Sequence, residues 1–197
     1  MSASTRSCGR DGRPLRAAAR LVVALCATLL IMPLRTAFAA DAPPLPPQVA
    51  ALAPGLKAQG GGELTYFGLS IYEGYFWSPR RGWKEDGPCA LDLHYHRALD
   101  GAKIAARSLQ EITKLGYGTP EQRSRWGEAM RRLFPNVEKG DRLTGISLPG
   151  GVVRYFHNGR LLGDIDEPGF GRAFFAIWLD PKTSEAAFRQ LLLGEKP

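Results

Sequence analysis

The sequence predicts an α+β domain in which helices pack on one face of a largely antiparallel sheet. Residues 90–99 alternate between apolar and polar side chains, as in a strand with one buried face. Residues 101–134 and the end of the chain carry apolar side chains at helical spacing. Between them lie three short β segments, two of them joined by Asn158-Gly159, a dipeptide typical of two-residue hairpins. Such a pattern places helices and strands in separate layers around one core.

The first 39 residues have the order of a secretory signal peptide. Five arginines precede an apolar run at residues 21–34, and Ala37 and Ala39 then form a small-x-small cleavage site. The apolar run is shorter than the ~20 residues that a transmembrane helix needs, and an uncleaved membrane anchor is the alternative. We therefore expect export to the periplasm, a mature chain that starts at Ala40, and no stable membrane span after cleavage.

Removing these residues changes the expected charge and cysteine content. They hold six Arg and one Asp, so Lys+Arg falls from 26 to 20, Asp+Glu falls from 19 to 18, and the net charge falls from +7 to +2. The strong positive charge of a nucleic-acid binding domain is then missing. The mature chain keeps one cysteine, Cys89, which is predicted to be a small buried hydrophobe and not part of an internal disulfide.

The remaining 158 residues divide into a leader and a domain. Residues 40–59 are rich in proline and are predicted to be an extended leader outside the core. Residues 60–194 are predicted to form one domain, because a chain of this size buries enough surface to fold without a metal or a disulfide.

The strands are predicted from aromatic and β-branched residues and from turn signals. Residues 63–77 form either one long strand or two strands bent at Gly68. Residues 141–165 form a three-stranded meander with turns at residues 149–151 and 157–160. The segment at residues 90–99 has one apolar face and one polar face, which consist of Leu91, Leu93 and Tyr95 and of Asp92, His94 and His96.

Four helices are predicted from apolar stripes and end signals. The second begins at a capping box formed by Thr119 and Gln122. The third ends near Asp180 because Pro181 follows, and the fourth begins at a cap supplied by Thr183 or Ser184. The stripes are Ile104, Ala105, Leu109, Ile112 and Leu115; Trp126, Ala129, Met130, Leu133 and Phe134; Phe170, Phe174, Ile177 and Trp178; and Ala187, Phe188, Leu191 and Leu192.

Five stretches in order resemble the chalcone isomerase-like family, specifically its exported bacterial branch. They are YFGLSIYEGYFW, FPNVEKGDRLTG, PGGVVRYFHNGRLLGDI, FGRAFFAIWLDPKTS and the final LLLG, which together span residues 60–194. The resemblance implies an open-faced β-sandwich, in which a long sheet carries helices on one side and a ligand cleft lies between them. It also implies one of two activities, closure of a chalcone to a flavanone or binding of a fatty acid, although some members have no known activity.

The residues of the isomerase reaction are not found where the resemblance places them. The family's enzymes use an Arg and a Thr from early strands and a Tyr that leads into the first long helix. The Thr position falls near Phe67 and the Tyr position near Ile104, while only Lys57 stands near the Arg position. Ring closure needs donors for the developing enolate, so we expect no catalytic residue of this type.

Other chemistry is weakly indicated. His94 and His96 share one strand face with Asp92, which is a conceivable metal site, but the same pattern is typical of the solvent face of a sheet. A Ser70–His94–Asp92 hydrolase lacks the GxSxG nucleophile elbow. We therefore expect no metal and no cofactor.

The candidates for ligand binding are strand tyrosines and one arginine. A cleft with an apolar wall and a few polar groups suits an amphipathic acid, although a strand tyrosine more often packs in the core. The predicted function is binding of a small apolar or amphipathic ligand such as a fatty acid. The alternatives are a chalcone-type isomerase with a rearranged site and a non-catalytic partner-binding module, and the sequence identifies no protein partner. The candidate residues are Tyr66, Tyr72, Tyr95, Arg154 and Tyr155.

Overall fold

The computed structural model describes residues 42–195, which form a six-stranded sheet and five helices. The predicted signal peptide and its predicted cleavage site lie outside this range. No helix within it is both long and apolar enough to cross a membrane. In chain order the elements are α1 (Pro47–Ala50), β1 (Lys57–Tyr66), β2 (Leu69–Ser78), β3 (Cys89–Tyr95), α2 (Gly101–Lys114), α3 (Pro120–Leu133), β4 (Arg142–Ser147), β5 (Val153–His157), β6 (Arg160–Ile165), α4 (Phe170–Leu179) and α5 (Ala186–Leu192).

The sheet is antiparallel throughout and its strands follow the order of the chain, β1-β2-β3-β4-β5-β6. One face packs against α2, α3, α4 and α5 in a single apolar core. Alternation along β3 sends Leu91, Leu93 and Tyr95 into that core, whereas Asp92 and His94 point to the other face. The predicted α+β class with helices on one face of an antiparallel sheet is confirmed.

Two hairpins of the sheet have two-residue turns. β1 and β2 are separate strands joined by Phe67 and Gly68, whose φ angles are 48° and 73°. β5 and β6 are joined by Asn158 and Gly159, whose φ angles are 50° and 76°. Positive φ at both positions is the requirement of a type I′ turn, which matches the twist of the flanking strands. The sequence signal at Asn158-Gly159 is confirmed, and residues 63–77 belong to two strands.

The helix ends follow the predicted chemistry in α3 but not in α5. Thr119 and Gln122 form the predicted capping box at the start of α3. In α5 the N-cap residue is Glu185, which makes no side-chain cap hydrogen bond. The Thr183 hydroxyl instead donates a hydrogen bond to the Ile177 carbonyl oxygen at 2.6 Å. It therefore holds the α4–α5 connection against the end of α4.

The proline-rich segment is not wholly extended, because part of it packs on the sheet. It contains α1, and its last residues are already in β1. Leu45 and Val49 are buried in a second apolar cluster on the face opposite the long helices, with Ala90, Ile146 and Phe156. Leu45 precedes α1 and Val49 lies within it, and together they cover sheet surface that would otherwise face water.

Glycines of β1 allow α5 to approach the sheet closely. A Cβ atom at Gly60 would lie 2.6 Å from the Gly194 nitrogen and closer still to the Leu191 carbonyl oxygen. A Cβ atom at Gly62 would lie 2.6 Å from the Leu191 side chain. The run at residues 60–62 therefore brings the last helix into contact with the first strand.

Candidate ligand-binding cavity

An apolar cavity of about 290 Å³ lies between the helix-covered face of the sheet and the helices α2 and α4. Its wall contains residues from β1, β2, β3 and β4 and from both helices. This volume is near the lower end of the range usual for small-molecule sites. The lining residues are Leu64, Tyr66, Ile71, Tyr72, Leu93, Tyr95, Leu99, Lys103, Ile104, Arg107, Ser108, Glu111, Phe134, Leu143, Phe174, Ile177, Trp178 and Glu185.

A bulge in β2 brings two consecutive residues to the wall. Leu64 of β1 pairs with Tyr72 and Thr65 pairs with Ser70, so Ile71 has no partner in the β1–β2 register. A bulge of this kind redirects a side chain that strict alternation would send to the opposite face. Both Ile71 and Tyr72 consequently line the cavity.

Buried tyrosines supply hydroxyl groups to the inner wall. The Trp178 indole nitrogen donates a hydrogen bond to the Tyr72 hydroxyl at 2.9 Å, and the Tyr72 and Tyr95 ring centroids are 5.6 Å apart. Burial raises the pKa of Tyr72 and of Tyr95 far above the usual tyrosine value. Both hydroxyls are therefore neutral and available as donors. Trp178 itself is buried, as its place in the apolar stripe predicts.

Charged groups of α2 lie at the rim of the cavity. Lys103 and Arg107 are exposed and also line the cavity, so their side chains border its opening. The Arg107 Nε atom is 2.8 Å from the Glu111 carboxylate, and its guanidinium lies 5.5 Å from the centre of the Tyr66 ring. Burial alone would raise the pKa of Glu111, but hydrogen bonds from Lys114 and Ser184, with the charge of Arg107, lower it below its usual value. Glu111 is therefore an ionised partner of Arg107 and Lys114.

The structure brings three of the five sequence candidates together. Tyr66, Tyr72 and Tyr95 line the cavity. Tyr155 does not: it lies behind the wall, with its ring 5.1 Å from Phe134 and 5.3 Å from Phe174. Its buried hydroxyl has no hydrogen-bond partner among residues 42–195.

Arg154 also does not line the cavity. Its Nε and Nη2 atoms each donate a hydrogen bond to the Asp164 carboxylate at 2.7 Å. Because consecutive residues of a strand point to opposite faces, Arg154 is on the side of β5 away from the core that contains Tyr155. The cations near the cavity are Lys103 and Arg107, which the sequence reading overlooked. Their signal is an i, i+4 pair of cations beside the apolar stripe of the first long helix.

The positions that the resemblance assigned to isomerase residues lie in different places. Ile104 lines the cavity, as expected for the Tyr position. Phe67 lies in the β1–β2 turn with its side chain 89% exposed, so it is outside the cavity. Lys57 is exposed at the start of β1.

The opposite face of the sheet holds a polar network around a fully buried carboxylate. Arg142 donates two hydrogen bonds to Asp92, at 2.8 and 2.6 Å, and Thr144 donates one at 2.7 Å. His94 lies 2.9 Å from the same carboxylate. Arg142 also donates to the Pro44 carbonyl oxygen at 2.8 Å, which ties the segment before α1 to the sheet.

This face does not have the geometry of a hydrolase or metal site in the described part of the chain. His94 contacts Asp92, but Ser70 pairs with His96. Ser70 and Glu63 both approach the same nitrogen, Nδ1, of His96, whereas a catalytic histidine uses its two nitrogens for the nucleophile and the acid. Within residues 42–195 no group of three or more His, Cys, Asp or Glu side chains is arranged to hold a metal ion.

Comparison with known proteins gives a family and a fold. The structure is similar to the crystal structure of a fatty-acid binding protein of Arabidopsis thaliana, with a TM-score of 0.55 and 12% sequence identity over 75% of this chain and 94% of that one. At this identity the likeness concerns the fold. A search of curated proteins found no significant match. The family model described as chalcone isomerase-like matches residues 87–194, more than half of the sequence, and the chain therefore belongs to the chalcone isomerase-like family.

Proposed function

We propose that the protein binds a fatty acid, or another amphipathic acid of similar shape, in the cavity between the sheet and the helices. The observation that carries the proposal is an apolar cavity bordered by two cations, Lys103 and Arg107. Apolar surface removed from water contributes roughly 25 cal/mol per Å², so an alkyl chain gains most from such a wall. The fatty-acid binding of the structural neighbour supports the same ligand class.

The distribution of charge supports one orientation of the ligand. The inner wall offers the neutral hydroxyls of Tyr72 and Tyr95, whereas Lys103 and Arg107 are at the rim. A carboxylate that enters an apolar interior without a cation loses far more hydration free energy than hydroxyl donors restore. The carboxylate therefore lies at the rim, beside the cations, and the alkyl chain extends toward Trp178.

Ring closure of a chalcone is not part of the proposal. That reaction requires donors fixed where the enolate charge develops, and loss of one such donor costs on the order of 10²–10³ in rate. Ile104, in the cavity wall, has no donor, and Phe67 points into solvent. We also propose that the protein acts after export. N-terminal sequencing of the protein from the periplasmic fraction tests export, and an intact Met1 or Ser2 contradicts it.

Displacement of a fluorescent fatty acid tests the binding proposal. We expect medium- and long-chain fatty acids to displace the probe, and the fatty alcohol of the same length to bind more weakly because it lacks the charge that Lys103 and Arg107 attract. Ile104→Trp fills the cavity and should abolish binding of the fluorescent fatty acid itself. Ala106→Trp is the matched control, because Ala106 is exposed on the same helix and does not line the cavity.

Two results contradict the proposal. Chalcone absorbance that decays rapidly in the presence of the protein, and not with Ile104→Trp, identifies an isomerase with a rearranged site. Absence of displacement at millimolar fatty acid, with a folded protein, identifies a partner-binding module. Native mass spectrometry of the protein purified from its own cells distinguishes fatty-acid binding from these two cases, since a co-purified fatty acid appears as added mass.

A further inference from the structure

The turn between β1 and β2 carries most of the exposed large apolar side chains of the described residues. Five such side chains are exposed, and three of them lie within four positions of the chain. We call residues 66–69 the hairpin tip. The Tyr66 and Phe67 rings contact each other edge to face at 4.5 Å. The five exposed fractions are Leu52 37%, Tyr66 48%, Phe67 89%, Leu69 52% and Leu161 60%.

Phe67 is not explained by the requirements of the turn. The type I′ turn between β5 and β6 has Asn158 at the equivalent position, with a φ of 50° against 48° for Phe67. Asn tolerates positive φ far better than a bulky residue does. A Phe at this position strains the backbone and buries almost none of its own surface in the fold. Strained residues of this kind cluster at functional sites, and the exposure of Phe67 directs any such function to a contact outside the domain.

The hairpin tip adjoins both the cavity and its cations. Tyr66 belongs to the tip and also lines the cavity. The guanidinium of Arg107 lies over the Tyr66 ring, and Lys103 is exposed one helical turn earlier. Arg107 is also paired with Glu111, so Lys103 is the rim cation with no ion pair within the described residues. Protruding aromatic and aliphatic side chains beside such cations match the interface of a bilayer with anionic headgroups.

We propose that the hairpin tip inserts into the surface of an anionic lipid bilayer. Phe67 and Leu69 enter the boundary between headgroups and acyl chains, while Lys103 and Arg107 face the anionic headgroups. The opening of the cavity then adjoins the lipid, and a fatty acid passes between bilayer and cavity without crossing water. The passage of fatty acid rests on the proposed function, but the docking itself does not.

Vesicle binding without fatty acid tests the docking. The full chain after removal of residues 1–39 is mixed with vesicles of phosphatidylcholine alone or of phosphatidylcholine with phosphatidylglycerol, and the bound fraction is measured by flotation. We expect binding to the phosphatidylglycerol vesicles, weakened by salt. Phe67→Asn combined with Leu69→Ser should weaken it by about tenfold or more, because two apolar side chains no longer enter the lipid.

The variants separate docking from folding and from ligand binding. Phe67→Asn introduces a residue that the turn prefers, so the urea midpoint of this variant should equal or exceed that of the parent protein. Leu161→Ser removes an exposed apolar side chain on β6, at the other edge of the sheet, and should leave vesicle binding unchanged. Displacement of the fluorescent fatty acid in solution should also be unchanged, since neither Phe67 nor Leu69 lines the cavity.

Transfer of the fluorescent fatty acid from vesicles to the protein should be slower in the double variant by a similar factor. Equal vesicle binding by the parent protein and the double variant overturns the proposal, whatever the fatty-acid assay gives. Absence of vesicle binding by the parent protein also overturns it and assigns the hairpin tip to a protein partner. A dimer that the double variant abolishes assigns it to a second copy of this chain.

Discussion

Two aspartates of the sheet form ion pairs with arginine in contrasting surroundings. The Asp92 carboxylate is fully buried, and its partner Arg142 is 22% exposed, whereas Asp164 and Arg154 are about one-third exposed. Losing one partner of a buried pair typically costs about 3–5 kcal/mol, while an exposed pair contributes at most about 1 kcal/mol. The difference follows from the desolvated charge that the lost partner leaves behind.

We expect Asp92→Asn to lower the free energy of unfolding by about 3 kcal/mol. The substitution leaves the Arg142 guanidinium without its counter-charge inside the sheet. Asp164→Asn, the matched control, should cost no more than about 1 kcal/mol. Urea denaturation of both variants at neutral pH measures the difference, and equal losses would show that burial does not decide the value of the pair.

Lowering the pH should remove the stability contributed by the ionised Asp92 in the unmodified protein. Burial by itself would raise the pKa of Asp92, but hydrogen bonds from His94, Arg142 and Thr144 lower it below the ordinary value of about 3.9. The unfolded chain then binds this proton more tightly, so the contribution is complete above pH ~4 and is lost as the pH falls through the lower native pKa. The Asp92→Asn protein should therefore lose less stability over that interval.

Among the elements, those with both a periodic pattern and an end signal were predictable from the sequence. The capping box of α3 and the Asn-Gly turn of the β5–β6 hairpin are local chemistry, because the residues that bond are three positions apart or fewer. α1 was not predictable, since four residues carry no periodicity. Its position depends on the packing of Leu45 and Val49 against Ile146 and Phe156, which are distant in the chain.

The candidate site shows why alternation alone cannot assign a cleft. Arg154 and Tyr155 are adjacent in β5, so a regular strand sends them to opposite faces and both cannot line one cavity. Ile71 and Tyr72 are equally adjacent, but the bulge in β2 allows both to reach the wall. A bulge is a property of the pairing of two strands, and one strand's sequence does not reveal it.

Contact between β1 and α5 gives a prediction at the scale of elements. Gly60→Ala places a Cβ atom against the backbone of residues 191–194, which cannot move aside as a flexible side chain does. We expect a loss of about 3 kcal/mol, at the upper end of the range for overpacked sites. Gly55→Ala is the control, because a Cβ atom there meets nothing within 4 Å and the φ of Gly55 is not in the left-handed region. Equal shifts of the urea midpoint in Gly60→Ala and Gly55→Ala would mean that α5 does not pack closely against β1.

At the scale of the whole molecule, the segment before β1 covers part of the sheet face that the long helices leave open. Val49 is fully buried there. Arg142 of β4 donates a hydrogen bond to the Pro44 carbonyl oxygen, and Gln48 donates one to the Gly159 carbonyl oxygen, so the segment is bonded to the sheet at two points. The sheet therefore has an apolar layer on each face, one large and one small. Detaching the small layer exposes the apolar surface of Ile146 and Phe156.

We expect Val49→Asp to lower the free energy of unfolding by about 1.5–3 kcal/mol, the range for burying one apolar side chain. The loss is limited because the segment can undock and leave the sheet intact. Ala51→Asp, at an exposed neighbouring position, should change stability by no more than about 0.5 kcal/mol. Urea denaturation provides the values. A loss near zero for Val49→Asp would mean that the segment does not stabilise the domain in solution.

The meander order of the strands has a consequence for folding kinetics. Each strand pairs with its neighbours in the chain, so most of the sheet can form through short loop closures. The packing of α5 on residues 60–62 is different, because it joins the two ends of the domain and must wait for Leu191. We expect this contact to form after the rate-limiting step of folding. In stopped-flow experiments Gly60→Ala should therefore accelerate unfolding and leave the folding rate nearly unchanged.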